Sequence, residues 1–223
     1  MVFENTVQIG IGAYTAPEIA KVLQLPVHKV RRWMHDYWDG TLGEAYARKY
    51  SWKSDGSRAV SFHTLIEFYV MMQLSEAGVK PKQVLIAHQA LAGWYHTPFP
   101  FALKVVLQSI RTDSRRIYLQ KGEETISLDG THQLNMEFIR MFFQRLDFDD
   151  QNLAMRFWPL GREKSVVLDP SRKMGHPVIA QHNIYPETIF NHFLAGDPIP
   201  YIARVYQLSV EEVQHALEYC EAA

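Results

Sequence analysis

Residues 14–37, YTAPEIAKVLQLPVHKVRRWMHDY, constrain this chain most, because they read as two short helices broken at Leu25 and Pro26. Thr15 and Glu18 have the S/T-x-x-E spacing of a capping box, in which side chain and backbone satisfy each other's orphan donors. Pro26 disfavours helix at Leu25 and then starts the next one. In that second helix Val27, Val30, Met34 and Tyr37 follow an i, i+3, i+7, i+10 rhythm and are expected to face a core. His28, Lys29, Arg31, Arg32 and His35 remain outside. A short helix with a buried stripe and a cationic outer face, after a tight turn, has the shape of a helix-turn-helix. An exposed face that is basic only for solubility is the alternative this segment leaves open.

The helical pattern fades over residues 40–60, where S-D-G-S at 54–57 is a turn signal. Arg48, Lys49, Lys53 and Arg58 surround it, interleaved with Tyr46, Tyr50 and Trp52. This is the pattern of a hairpin "wing" lying along a phosphate backbone. From Lys21 to Arg58 eight basic residues stand against four acidic ones, a local net charge of +4. A third helix is expected after Ser61, with Phe62, Leu65, Ile66, Tyr69 and Leu74 inward and Gly78 at its end. Pro81 opens a fourth through Val84, Leu85, His88 and Leu91, closing near Gly93.

Over residues 12–92 this order resembles the MerR-type winged-helix family. Tyr14–Thr15 opens helix one, Arg31 to Trp33 lie where that family has R-x-aromatic, a wing precedes S-F-x-x-L, and E-A-G-V-K-P-K-Q-V resembles its closing helix pair. The resemblance implies that Arg31 sits near phosphate and that the outer residues of helix two face the major groove. The long coiled-coil dimerisation helix and the C-terminal cysteine metal site of the usual regulators have no counterpart here.

With 223 residues, 47% hydrophobic and 13% aromatic, the chain is able to bury one or two sizeable cores. Its net charge of −1 means that any nucleic-acid signal is local. The single cysteine, Cys220, excludes an intramolecular disulfide framework and reads as a small buried residue of the last helix. No basic region followed by an apolar run opens the chain, and no stretch approaches 18 apolar residues, so a cytoplasmic protein without a membrane span is expected.

T-P-F-P at 97–100 marks a boundary. Beyond it we expect a helix over 101–110, a hairpin over 115–128 turning at K-G-E-E, and a helix through Met136, Ile139, Arg140 and Phe143. Strand-like runs follow at 153–158 and 165–168. L-D-F-D-D at 146–150 invites a hard-cation reading, but it lacks the Gly at the bend and the following bidentate Glu, and is read as an acidic surface loop. His176, His182 and His192 match no zinc spacing and are read as structural.

The last fifty-odd residues read as three helices behind an extended lead-in. The first runs over 187–195 and stops at Gly196; the second follows Asp197–Pro198 and includes Ile199, Ile202 and Ala203. Ser209 and Glu212 make a second capping box, and Val210, Val213, Leu217 and Cys220 form the inward stripe of the third. Over residues 165–220, D-P-x-x-x-x-G-x-P-V-I and L-S-x-E-x-V-x-x-A-L closely resemble a short antitoxin-type family catalogued as domain of unknown function 433. Gln181, His182 and Asn183 stand where that family usually has Gly-x-Arg. A MerR-like head joined to this tail resembles the VapB-like antitoxins of VapBC-type toxin–antitoxin pairs, and the resemblance implies a PIN-type ribonuclease toxin as partner.

From Asn183 onward six carboxylates stand against Arg204, a net charge of −5. Phosphate binding depends on cations that displace counterions, so the tail is expected to meet a basic protein rather than DNA. The expected architecture is α+β and mostly helical: a winged helix-turn-helix over 1–96, a small central α/β segment with antiparallel strands over 97–168, and a three-helix module over 169–223. The expected activity is that of a DNA-binding antitoxin that neutralises a ribonuclease toxin and represses its own operon. Operator DNA would meet Thr15, His28, Lys29, Arg31, Arg32, Lys49, Lys53 and Arg58; the toxin would meet Glu187, Asp197, Glu211 and Glu212. A homodimer is expected from the palindromic operators such proteins read. No catalytic set and no cofactor or metal site is nominated. The rivals are a one-component regulator whose middle segment senses a ligand, and a hydrolase built on the 147–150 carboxylates.

Overall fold

The computed structural model describes residues 10–54, 56–112, 117–121, 124–128 and 144–222. The fold is α+β and mostly helical, with small antiparallel sheets. Strand β1 (Tyr14–Thr15) runs directly into α1 (Ala16–Leu23), and α2 (Val27–Arg32) follows after a three-residue turn. Helix α2 continues as a π-helical stretch (Trp33–Leu42) and the short turn α3 (Gly43–Ala45). Strands β2 (Ser51–Ser54) and β3 (Ser57–Val60) form a hairpin, and β1 pairs along β3, giving the order β1-β3-β2.

The π-register departs from the expected pattern, in which helix two was to fade at residue 40. Each π turn takes about one residue more than an α turn, so inward positions recur at a spacing of five. Trp33 and Trp38, and Met34 and Asp39, are the buried pairs, while Tyr37 and Val27 are only half-buried. Both tryptophans stand edge-on to Phe68, at 5.8 and 4.7 Å between ring centroids. Phe68 belongs to α4 (Phe62–Glu76), which is buried without interruption from Thr64 to Leu74 and so forms the axis of the larger core rather than a one-sided surface helix. Ser61 caps its start by accepting the Thr64 N–H, and Gly78 ends it at φ 85°, where Val79 N–H reaches back to Leu74 O at 3.0 Å. Helix α5 (Pro81–Tyr95) runs past Gly93 and stops at a left-handed His96. Inside, Glu67 and His88 are both fully buried with 2.5 Å between Oε2 and Nε2. The other Glu67 oxygen accepts the Phe101 N–H at 2.8 Å, tying α4 to the 3-10 turn Pro100–Ala102.

The helix expected over 101–110 is split. Leu103 is extended and bridges Leu153, so only α6 (Lys104–Ser109) follows the 3-10 turn. A three-stranded sheet comes next, β4 (Ile110–Thr112), β5 (Ile117–Lys121) and β6 (Glu124–Leu128), paired in that order. The expected helix through Met136, Ile139, Arg140 and Phe143 lies outside the described residues, as do the hairpin's first residues and the centre of its turn. Strands β7 (Leu146–Phe148) and β8 (Ala154–Phe157) pair with each other. The acidic loop beside them is locally committed. Asp147 pairs with Arg162 and accepts from Trp158 Nε1, while Asp149 accepts the N–H groups of Gln151 and Leu153.

Strand β9 (Val166–Val167) pairs with β10 (Val178–Ile179), so the sheet joins the end of the middle segment to the beginning of the tail. Helices α7 (Pro186–Leu194), α8 (Ile199–Tyr206) and α9 (Val210–Ala222) close a second core around Ile179, Ile189, Ile202 and Val213. The stripe expected on α9 is only half correct: Val213 and Leu217 are buried, Cys220 is partly so, and Val210 is exposed. Among the described residues no helix is long and apolar enough to cross a membrane.

Candidate nucleic-acid interface

The geometry of the first helix pair follows from a few side chains. The Thr15 N–H and hydroxyl both donate to Glu18 Oε2, at 2.7 and 2.6 Å, fixing the start of α1. At its end Gln24 adopts φ 53° and ψ 44°, and Leu25 N–H returns to Ala20 O at 2.9 Å. This left-handed cap turns the chain so that Pro26 opens α2 at an angle. His28, Arg31, Arg32 and His35 are exposed on the outer side of α2 and its π extension. Lys29 lies over the Trp33 ring at 5.1 Å and Arg32 over Tyr37 at 5.9 Å, which restrains both cations without neutralising them.

The hairpin is held against this helix by Asp39, a residue that sequence reasoning does not single out. Its side chain is nearly fully buried. It accepts the Tyr50 N–H at 2.8 Å, the Ser51 N–H at 3.0 Å, the Ser51 hydroxyl, and Arg58 Nη1 at 2.6 Å. Lys49 Nζ donates to the Asp39 carbonyl at 3.3 Å. Two of the expected phosphate clamps, Lys49 and Arg58, therefore also brace the hairpin. Lys53 sits opposite Arg58 on the neighbouring strand and is exposed. The available signal for Asp39 is an acid on the inward side of a helix that precedes a basic hairpin.

Between helix and hairpin runs a cavity of about 470 Å³. Arg31 and His35 line it from the helix, Ser57 and Arg58 from the hairpin, and Thr15 from β1, which is paired to that hairpin. The structure thus brings Thr15, Arg31 and Arg58 to one groove, and places His28, Lys29, Arg32, Lys49 and Lys53 around it rather than in it.

The four carboxylates expected to meet a partner are dispersed. Glu187 bonds Lys21 at 2.8 Å, Asp197 bonds His192 at 2.7 Å, and Glu212 accepts the Ser209 N–H at 2.8 Å in the expected capping box. Glu211 is the exposed one, with the His215 ring nitrogen at 3.9 Å. The tail is latched to the head next to the groove. Tyr14 donates its hydroxyl to Gly175 O at 2.8 Å, Ala13 N–H reaches Met174 O, and Lys21 meets Glu187. Burial raises the Tyr14 phenol pKa well above its ordinary value, helped by Asp169 and Glu18. His192 also meets the Tyr206 hydroxyl at 2.8 Å, so it is a structural link between α7 and α8. Among the described residues no three His, Cys, Asp or Glu side chains cluster as metal ligands.

The tail repeats the head. Pro17, Ile19, Ala20, Val22, Gln24, Leu25, Val27 and Val30 recur as Pro200, Ile202, Ala203, Val205, Gln207, Leu208, Val210 and Val213, at one constant offset of 183 residues. Helix α8 matches α1 end for end, and α9 begins where α2 does at the same offset. Gln207 repeats the left-handed cap at φ 55° and ψ 39°, and Leu208 N–H returns to Ala203 O at 2.8 Å. The outer positions differ in charge. His28, Lys29, Arg31 and His35 are matched by Glu211, Glu212, Gln214 and Glu218. One backbone turn thus carries a cationic face at one end of the chain and an acidic face at the other.

No curated protein matches the chain in sequence. The crystal structure of Rv2018 from Mycobacterium tuberculosis superposes with a TM-score of 0.67 over 96% of this chain and 99% of that one, at 17% identity, a likeness of fold. Within the chain, residues 166–220, from β9 to the last turns of α9, match the family described as a protein of unknown function (DUF433).

Proposed function

We propose that the protein is a DNA-binding antitoxin. Helices α1 and α2 act as a helix-turn-helix with the β2–β3 hairpin as its wing, and the tail neutralises a PIN-type ribonuclease toxin. The observation that carries the DNA limb is the pair of exposed guanidinium groups, Arg31 and Arg32, flanked by exposed His28 and His35 on the helix that follows a left-handed turn, with a groove between them and a basic hairpin. Such a helix enters the major groove, Arg31 and Arg32 reach base edges or flanking phosphates, and Lys53 and Arg58 approach the backbone. The charge reversal between the two helix pairs supports the division of labour. In the copy Glu218 is paired with Lys164 at 2.7 Å, and the exposed Glu211 is the carboxylate that repels phosphate and suits a basic, RNA-gripping protein. Repression of its own operon follows if the chain binds a palindromic operator as a homodimer.

A second reading, a MerR-like one-component regulator without a toxin, is favoured by one feature, a cavity set against the turn between α1 and α2. Co-expression of the chain with the product of its neighbouring gene, followed by pull-down with and without promoter DNA, separates the two. A stable complex that also shifts the promoter is expected. A promoter shift with no protein partner selects the regulator, and no shift at all removes both.

A further inference from the structure

A cavity of about 300 Å³ lies between the end of α1, the C-terminal half of α4 and the turn after β8. That volume is at the lower end of the range for small-molecule sites. Leu23, Met72, Phe157 and Leu160 give it apolar walls. Gln73 lines it and is 6% exposed. Its amide nitrogen donates to Glu76 at 3.3 Å, but its carbonyl oxygen is shut off from solvent and has no partner among the described residues. A buried acceptor left unpaired is uncommon enough to require an explanation.

Two opposite charges complete the lining. Glu76 stands one helical turn from Gln73 on α4, and Arg145 faces the cavity from the segment before β7. Among the described residues the two form no ion pair within 4 Å, and no acid neutralises Arg145. Both nevertheless act on the same buried phenol. Burial raises the Tyr69 pKa, Arg145 lowers it and Glu76 raises it further. An exposed carboxylate and a guanidinium that line one cavity without pairing, beside apolar side chains, are complementary to a molecule that carries both charges itself.

We propose that this cavity binds a free α-amino acid with an apolar side chain. Its ammonium group donates to Glu76 and to the Gln73 carbonyl oxygen, its carboxylate meets Arg145, and its side chain lies against Leu23, Met72 and Phe157. The wall also includes Val22 and Gln24, the residues that close α1 and make the turn to α2, so an occupant contacts the turn that orients the cationic helix. The site stands independently of whether that helix binds DNA.

The test is a melting-temperature panel on the full chain with leucine, isoleucine, valine, methionine and phenylalanine. Isoamylamine and 4-methylpentanoate serve as leucine analogues lacking one charge each. At about 100 times its Kd a true ligand raises the melting temperature by roughly 5–10 °C in a chain of this size. At least one of the five is expected to do so, while neither analogue does. Arg145→Gln at the rim and Gln73→Leu within are each expected to abolish the shift. Arg145→Gln guards against a Gln73 variant that fails to fold. No shift with any of the five overturns the proposal, as do equal shifts from a single-charge analogue or a shift that survives in Arg145→Gln.

Discussion

Replacing Asp39 with alanine removes the acceptor that holds the hairpin to the helix, and its cost follows from the contacts made there. The Tyr50 and Ser51 N–H groups would each lose their partner at a buried position. An orphaned buried donor costs about 1–3 kcal/mol. Arg58 adds little, because half of its side chain is in solvent and exposed ion pairs contribute about 0–1 kcal/mol. These terms share one network and do not simply add, so the expected loss is about 3–5 kcal/mol, most of it from the two orphaned N–H groups. At about 2–4 °C per kcal/mol, the melting temperature should fall by roughly 6–20 °C. Arg58→Ala should cost less than Asp39→Ala, because the Asp39 carboxylate it leaves behind keeps its hydrogen bonds from the Tyr50 and Ser51 N–H groups and the Ser51 hydroxyl. Thermal unfolding of the two variants, with amide exchange at Tyr50 and Ser51, provides the comparison. If Asp39→Ala is no less stable than Arg58→Ala, or if those amides keep their protection, Asp39 does not pin the hairpin.

Three further outcomes are expected. Gly175→Ala should destabilise the chain by about 1–3 kcal/mol in denaturant unfolding, because Gly175 sits at φ 88° and a Cβ there would meet the Tyr14 hydroxyl oxygen at 2.1 Å. Glu211→Lys should weaken binding of a basic partner while leaving promoter affinity unchanged, as measured by calorimetry and gel shift; parallel loss of both would end the proposed division of labour. Burial, aided by Glu187, pushes the Cys220 thiol up to about 11 from an ordinary 9. The unfolded chain therefore releases this proton first as pH rises, and stability should decline from pH 9 towards 11 in urea titrations, with less decline in Cys220→Ser.

What could be read in the letters alone was governed by local rules. Thr15 with Glu18, Ser209 with Glu212, and Gly78 at the end of α4 each satisfy backbone groups within a few residues, so their spacing announces them. Asp39 was not legible, because its partners lie 11 to 19 residues away on a hairpin whose approach depends on the π-register. Arg58 was expected as a free clamp for the same reason, since its carboxylate partner is invisible without that approach. Val210 repeats the letter of Val27 yet is exposed, because it is the surroundings of the helix, and not its periodicity, that cover a position. The repeat itself is plain in the sequence at its constant offset, and the turn explains it. The shared positions are those that set the cap and the crossing of the two helices, while the outer positions are basic in the head and neutral or acidic in the tail.

The central claim is that the exposed cations of α2 read DNA. Affinity for the promoter fragment, titrated at several salt concentrations with wild type, Arg31→Ala and Arg32→Ala, tests it most directly. The account predicts a loss of about 1–3 kcal/mol per variant where the residue reaches a base, or a salt slope smaller by about 1 where it reaches phosphate. Unchanged affinity and slope in both variants would contradict it.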